Sequence, residues 1–93
     1  MDTPGKLVEI ARRLYDKNLN AAVGGNVSIR QEDCIAITPA GINKGFMTEG
    51  DVVVVDLNGT RLKGTGEPSS EGKMHYEIYR QRPDVQAIIH AHP

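Results

Sequence analysis

Apolar and polar residues alternate along this chain in three patterns, and each marks a different kind of element. Leu7, Ala11 and Leu14, flanked by Val8, Ile10 and Tyr15, form a stripe at helical spacing, with Glu9, Arg12, Arg13 and Asp16 left for water. Thr3 suits the cap of that helix, Pro4 its first position, and Asn18 and Asn20 its end. A second pattern has period two. Val27 and Ile29 alternate after a glycine-containing loop, Gln31-Glu32-Asp33 reads as a turn, and Cys34–Thr38 returns, which predicts a hairpin. Pro39-Ala40-Gly41 breaks the return strand, and 42–51 reads as irregular or a single helical turn. The third pattern is a continuous β-branched run, Val52–Val55, as in a strand covered on both faces. Asn58-Gly59 turns the chain into a short strand ending at Leu62, and a glycine-rich stretch, 64–68, follows. A second helix is predicted from Ser69-Ser70-Glu71 to about Gln81, with Met74 and Ile78 as its apolar positions and Arg82-Pro83 as its stop.

The chain closes on another alternation. In Val85–His92, Val85, Ala87, Ile89 and Ala91 share one face of a strand, and Gln86, Ile88, His90 and His92 share the other. The two imidazoles then stand roughly 6–7 Å apart at their Cα atoms.

Composition narrows the function classes. Ninety-three residues make one small domain, 39% hydrophobic and 25% charged, as in an ordinary soluble protein. A net charge of −1, no Trp and few aromatics leave no footprint for nucleic acid or an anionic membrane. The apolar runs are far shorter than the ~20 residues of a membrane span, and the N-terminus lacks a signal pattern. The one cysteine, Cys34, cannot form an internal disulfide and lies in an apolar run; it reads as a buried, inert thiol in a cytoplasmic protein.

Four groups of residues could carry chemistry, each with a plainer reading beside it. His90 and His92 could ligate a metal such as Zn²⁺, or stand exposed, or hydrogen-bond within a core. Ser69-Ser70-Glu71 could cap the second helix; the same helix start could also hold an anion, with Glu71 as a general acid/base. His75, four residues after Glu71, shares its helix face and could orient it, or make a surface contact only. Gly24-Gly25-Asn26 could be a turn or a backbone cradle for phosphate, but it has no dinucleotide-binding or Walker spacing.

The order of these groups resembles the class II aldolase/adducin family. The matching segments are Gly24-Gly25-Asn26-Val27-Ser28-Ile29-Arg30, Ile37-Thr38-Pro39-Ala40-Gly41-Ile42, Pro68-Ser69-Ser70-Glu71, His75–Tyr79, Arg82-Pro83-Asp84-Val85 and Ala87–His92. The resemblance implies an α/β fold, a three-layer α/β/α sandwich that is incomplete in this chain and assembled as a homotetramer. It also implies a Zn²⁺-dependent enzyme acting on a phosphorylated sugar, cleaving a ketose phosphate to dihydroxyacetone phosphate and an aldehyde. Epimerisation or dehydration of a related sugar phosphate, or a non-catalytic assembly role, are the alternatives within the family. On this resemblance His90 and His92 match two of three zinc ligands and Glu71 matches the acid/base. Gly25, Asn26, Gly41, Ser69 and Ser70 match phosphate-binding positions. Val23 and Ala40 depart from the pattern, since family members carry hydroxyl side chains there. Residues 1–93 are expected to be the N-terminal part of one such domain, with the third zinc histidine beyond them and an uncovered sheet edge at Val85–His92.

Overall fold

Alternate residues of a strand point to opposite faces, and pairing registers carry that parity across a sheet. The computed structural model describes residues 3–17, 25–41 and 47–90. They form α1 (Thr3–Asp16), β1 (Asn26–Gln31), β2 (Cys34–Ile37), a 3₁₀ turn (Glu49–Asp51), β3 (Val53–Asp56), β4 (Arg61–Lys63), α2 (Gly72–Gln81) and β5 (Ala87–His90). The strands lie in the order β4-β3-β2-β1-β5, with every neighbouring pair antiparallel. The expected helix end at Asn18 and Asn20, and the residues Val23, Gly24 and His92, lie outside the described residues.

Parity sorts the core into two clusters. Val27, Ile29 and Ala36 pack with Leu7, Val8 and Ala11 of α1, together with Met47 and Val52. Ile35, Ile37, Val53 and Val55 pack with Tyr76 and Tyr79 of α2, and Val85 and Ile88 lie against them. The registers Ile29↔Ala36, Ser28↔Ile37 and Ile37↔Val53 keep these sets on opposite faces. The described residues therefore build a small antiparallel sheet with one helix against each face. None of their helices is long and apolar enough to cross a membrane.

Three details differ from the sequence reading. Thr3 falls within α1 and is fully buried, so it packs where a cap was expected. The valine strand begins at Val53; Val53 and Val55 are buried toward α2, Val54 is only half-buried, and Val52 joins the α1 cluster ahead of the strand. On α2 the expected apolar positions are the wrong ones: Met74 is 41% exposed and Ile78 half-buried, while His75, Tyr76 and Tyr79 are buried. Cys34, at the start of β2, is a free and half-buried thiol.

Arg30 ties the end of α2 to the sheet. Its Nη2 donates to the Tyr79 carbonyl at 2.5 Å, its Nε donates to the Val85 carbonyl at 3.0 Å, and its guanidinium lies over the Tyr79 ring. A cation beside the last carbonyls of a helix satisfies acceptors that have no helical partner. The Arg30 N–H also donates to the Gln86 carbonyl at 2.7 Å, which leads β5 into place beside β1. β5 is an edge of the sheet among the described residues, and its Ile89 side chain is 53% exposed on the α1 face.

Tyr76 anchors α2 by packing on Gly59. That glycine sits in the turn after β3, where the Asp56 carboxylate accepts the N–H groups of Asn58 and Thr60. It has φ +89°, and a Cβ there would come 2.6 Å from Tyr76 Cε2. Gly41 also has positive φ, +72°, but a Cβ there meets nothing within 4 Å. Gly59→Ala is expected to cost about 1–3 kcal/mol of packing strain in addition to the backbone penalty, whereas Gly41→Ala carries only the backbone penalty of about 1 kcal/mol. Urea unfolding of the two variants checks this; equal losses would show that Tyr76 yields freely.

Candidate active site

One polar residue at each turn of α2 faces β1: Glu71, which precedes the helix, then His75 and Tyr79 at successive steps of four. On β1, Asn26 and Ser28 stand two apart and so share the face turned to α2. The two sets meet. Asn26 Nδ2 donates to Glu71 Oε1 at 2.8 Å, and Asn26 Oδ1 pairs with His75 Nε2. His75 Nδ1 lies 2.6 Å from Ser28 Oγ, which lies 2.8 Å from the Tyr79 hydroxyl. Asn26, Ser28 and His75 are fully buried, and a polar group taken from water keeps its stability only when it is paired.

β5 brings the histidine. The register Asn26↔His90 sets His90 directly beside Asn26, on the α2 face, as the strand parity expected. His90 Nδ1 lies 3.3 Å from Glu71 Oε2; the two side chains keep 31% and 43% exposure. One carboxylate thus reaches Asn26 with one oxygen and His90 with the other. It stands at the boundary between a buried column and solvent.

The remaining candidates gather at the same end of the sheet. Thr38, just after β2, exchanges bonds with Val27: its N–H donates to the Val27 carbonyl and its Oγ1 accepts the Val27 N–H. Beyond it, Pro39 and Pro68 form an antiparallel bridge, the Ser69 N–H donates to the Thr38 carbonyl, and the Ala40 N–H donates to the Glu67 carbonyl. These bonds hold the segments that carry Gly41 and Ser69-Ser70 at the end of the sheet where β1 begins. Gly25 and Gly41 have positive φ, 75° and 72°, as open glycine turns require. Gly41 and Ser70 are exposed. Ser69 Oγ accepts the Glu71 N–H at 3.3 Å within the turn that precedes α2; the cap residue is Glu71, with no side-chain capping bond, so the expected serine cap does not form.

His75 does more than the surface contact that was its plainer reading. Ser28 and Tyr79 were not singled out in the sequence, yet they complete its surroundings. The signal was present as spacing: polar residues at 71, 75 and 79 on the helix, and at 26 and 28 on the strand. As for a metal, an imidazole and a carboxylate side by side are donors of the type that Zn²⁺ takes. Among the described residues no group of three or more such side chains is assembled.

Burial sets the protonation of His75. Desolvation is the largest influence and lowers its pKa from 6.5 to about 4; His90 adds to the lowering and Glu71 opposes it. A histidine whose folded pKa is depressed takes up its proton more readily in the unfolded chain. Its contribution to stability is therefore complete above about pH 6.5, declines as pH falls, and levels off below about 4. The decline amounts to about 3 kcal/mol. In urea unfolding between pH 7.5 and 4.5, His75→Gln should lose less stability on acidification than the unaltered protein. Parallel pH profiles would contradict this.

With this geometry in hand, comparisons with known proteins are informative. The family model for the class II aldolase and adducin N-terminal domain matches residues 5–93. A Methanocaldococcus jannaschii protein named L-fuculose phosphate aldolase is 44% identical over 87 residues, covering 94% of this chain and 47% of its own length. A protein of the same name from Methanococcus maripaludis is 42% identical with the same coverages. A solved structure of an L-fuculose 1-phosphate aldolase superposes with a TM-score of 0.91 at 39% identity, over 97% of this chain and 43% of that one. The chain spans just under half the length of each. It belongs to the class II aldolase and adducin family.

Proposed function

We propose that residues 1–93 form the N-terminal part of one class II aldolase domain and carry part of the active site of a Zn²⁺-dependent lyase. The substrate is a ketose 1-phosphate of the L-fuculose phosphate type, as the names of the relatives suggest. The products are dihydroxyacetone phosphate and an aldehyde. The observation that carries this reading is the Glu71 carboxylate, held by Asn26 at 2.8 Å and facing His90 at 3.3 Å.

His90 and His92 are the metal ligands in this reading, with a further ligand from outside residues 1–93. Zn²⁺ held there would supply Lewis-acid polarisation of the substrate carbonyl. Gly25, Gly41, Ser69 and Ser70 offer backbone and hydroxyl donors to the phosphate around the start of α2, and Asn26 has one amide hydrogen left after its bond to Glu71. When the C3–C4 bond breaks, the C4 hydroxyl passes its proton to water and C4 becomes the aldehyde carbon. The electron pair stays on C3, and Glu71, a carboxylate at rest, takes up a proton from solvent and passes it to C3, which converts the enediolate to the ketone product and restores the carboxylate. The uncovered edge at β5 suits completion of a three-layer sandwich by further strands, in a homotetramer. A lone free thiol suits the cytoplasm.

Glu71→Gln should lower kcat about 10²–10⁴-fold for retro-aldol cleavage, with zinc content unchanged. His90→Ala should lower zinc content itself, measured by elemental analysis after dialysis. Full turnover by Glu71→Gln would overturn the acid/base role, and unchanged zinc in His90→Ala would overturn the ligand role.

A further inference from the structure

While Glu71 is an acceptor, the column from Glu71 to Tyr79 has one consistent arrangement of protons. An ionised carboxylate accepts and cannot donate, so the Asn26 atom 2.8 Å from Glu71 Oε1 has to be the amide nitrogen. The Asn26 oxygen then faces His75, and an oxygen there requires that Nε2 carry the hydrogen. A neutral imidazole with its hydrogen on Nε2 has a bare acceptor at Nδ1, so Ser28 donates its single hydroxyl hydrogen to it. Ser28 has none left for Tyr79, and the Tyr79 hydroxyl donates to Ser28 Oγ. Five side chains, each the only fitting donor or acceptor for the next, run from the helix interior to the carboxylate.

We propose that His75 is a positioning residue: by donating Nε2–H to Asn26 it fixes which way that amide faces, and so holds Glu71 in place by the Asn26 amide nitrogen. The inference rests on the role proposed above for Glu71, since a fixed carboxylate matters most where it must reach one substrate carbon. Without the His75 donor, the Asn26 oxygen loses its partner and the amide is oriented by Glu71 alone. The pair is then free to shift together, and the carboxylate can swing toward solvent, to which it is already 43% exposed. Burial keeps His75 neutral near pH 7, so one of its nitrogens donates and the other accepts. Ser28 and Tyr79 complete the device by fixing the other nitrogen. Of the two nitrogens of His75, only Nε2 acts toward the active site, and only through Asn26.

Two variants separate this from a packing role. His75→Phe fills the space and donates nothing; His75→Gln has a different shape but can place an amide N–H near Asn26 Oδ1. The first readout is the Asn26 side-chain amide in ¹⁵N NMR spectra. The unaltered protein should show one Nδ2 proton shifted downfield and protected from solvent exchange by its bond to Glu71, a pattern lost in His75→Phe and kept in His75→Gln. Asn26 amide protons in the unaltered protein that exchange with solvent as fast as those of an exposed asparagine would overturn the proposal without recourse to any variant. The second readout is retro-aldol kinetics: His75→Phe should lose about 10–100-fold in kcat with little change in KM, the scale typical of groups that orient a site residue. His75→Gln should recover most of that loss. A folded His75→Phe with an unchanged Asn26 amide and unchanged kcat would refute the positioning role while leaving the aldolase reading intact. An unaltered protein without turnover but with the predicted amide pattern would refute the aldolase reading and leave the positioning of Glu71 standing.

Discussion

A fully buried histidine must find a partner for each nitrogen, and the structure around α2 follows from how His75 does so. Its partners, Asn26 and Ser28, lie two residues apart on β1, a spacing that a strand sets and a loop does not. Meeting both at once allows one rotation of α2 and one position along its axis. A shift of one residue would leave buried polar groups unpaired, at about 1–3 kcal/mol for each. Apolar contacts alone, Tyr76 and Tyr79 against Ile35, Ile37, Val53 and Val55, favour burial but tolerate sliding. The polar column supplies the register. Arg30 reinforces it at the far end by binding the Tyr79 and Val85 carbonyls, so the helix is pinned at both ends.

That register determines where Glu71 stands. The residue lies four positions before His75, on the same side of the helix, at the mouth of the column. β5 pairs with β1 so that His90 falls opposite Asn26. The meeting of carboxylate and imidazole therefore depends on two independent constraints, helix register and strand register, that share β1. A central strand that organises both is a sound place for a site to begin, because rigid elements hold side chains more closely than loops do. The glycine and serine segments close around the same end through the Pro39–Pro68 bridge and the bonds of Thr38, which tie the connections together where no regular ladder runs.

Much of the sheet could be read from the sequence because its signals are local. The Glu32-Asp33 turn of the β1–β2 hairpin, the break at Pro39 and the parity that places His90 and Ile88 on one face all rest on spacing within a few residues. The face of α2 could not be read that way. Met74 and Ile78 look apolar, but the positions turned inward are His75, Tyr76 and Tyr79, and the polar atoms of His75 and Tyr79 are stable only because β1 supplies Ser28 as a partner some 47–51 residues away. Hydropathy marks such residues as surface, and only the tertiary partner reverses that. Thr3 shows the same limit on a smaller scale: its residue type suggests a cap, and its burial is decided by packing. In the site, Glu71 and His90 were legible as residue types with a chemistry, while Ser28 and Tyr79 acquire meaning only through His75.

The central claim is that an acceptor at Glu71 dictates the proton order down the column, and His75 is the member whose state is most directly visible. Long-range ¹H–¹⁵N correlation of the His75 ring at pH 7 reports which nitrogen carries the hydrogen. The account predicts a neutral ring with its hydrogen on Nε2 and a bare Nδ1. A hydrogen on Nδ1, or a doubly protonated ring, would contradict it.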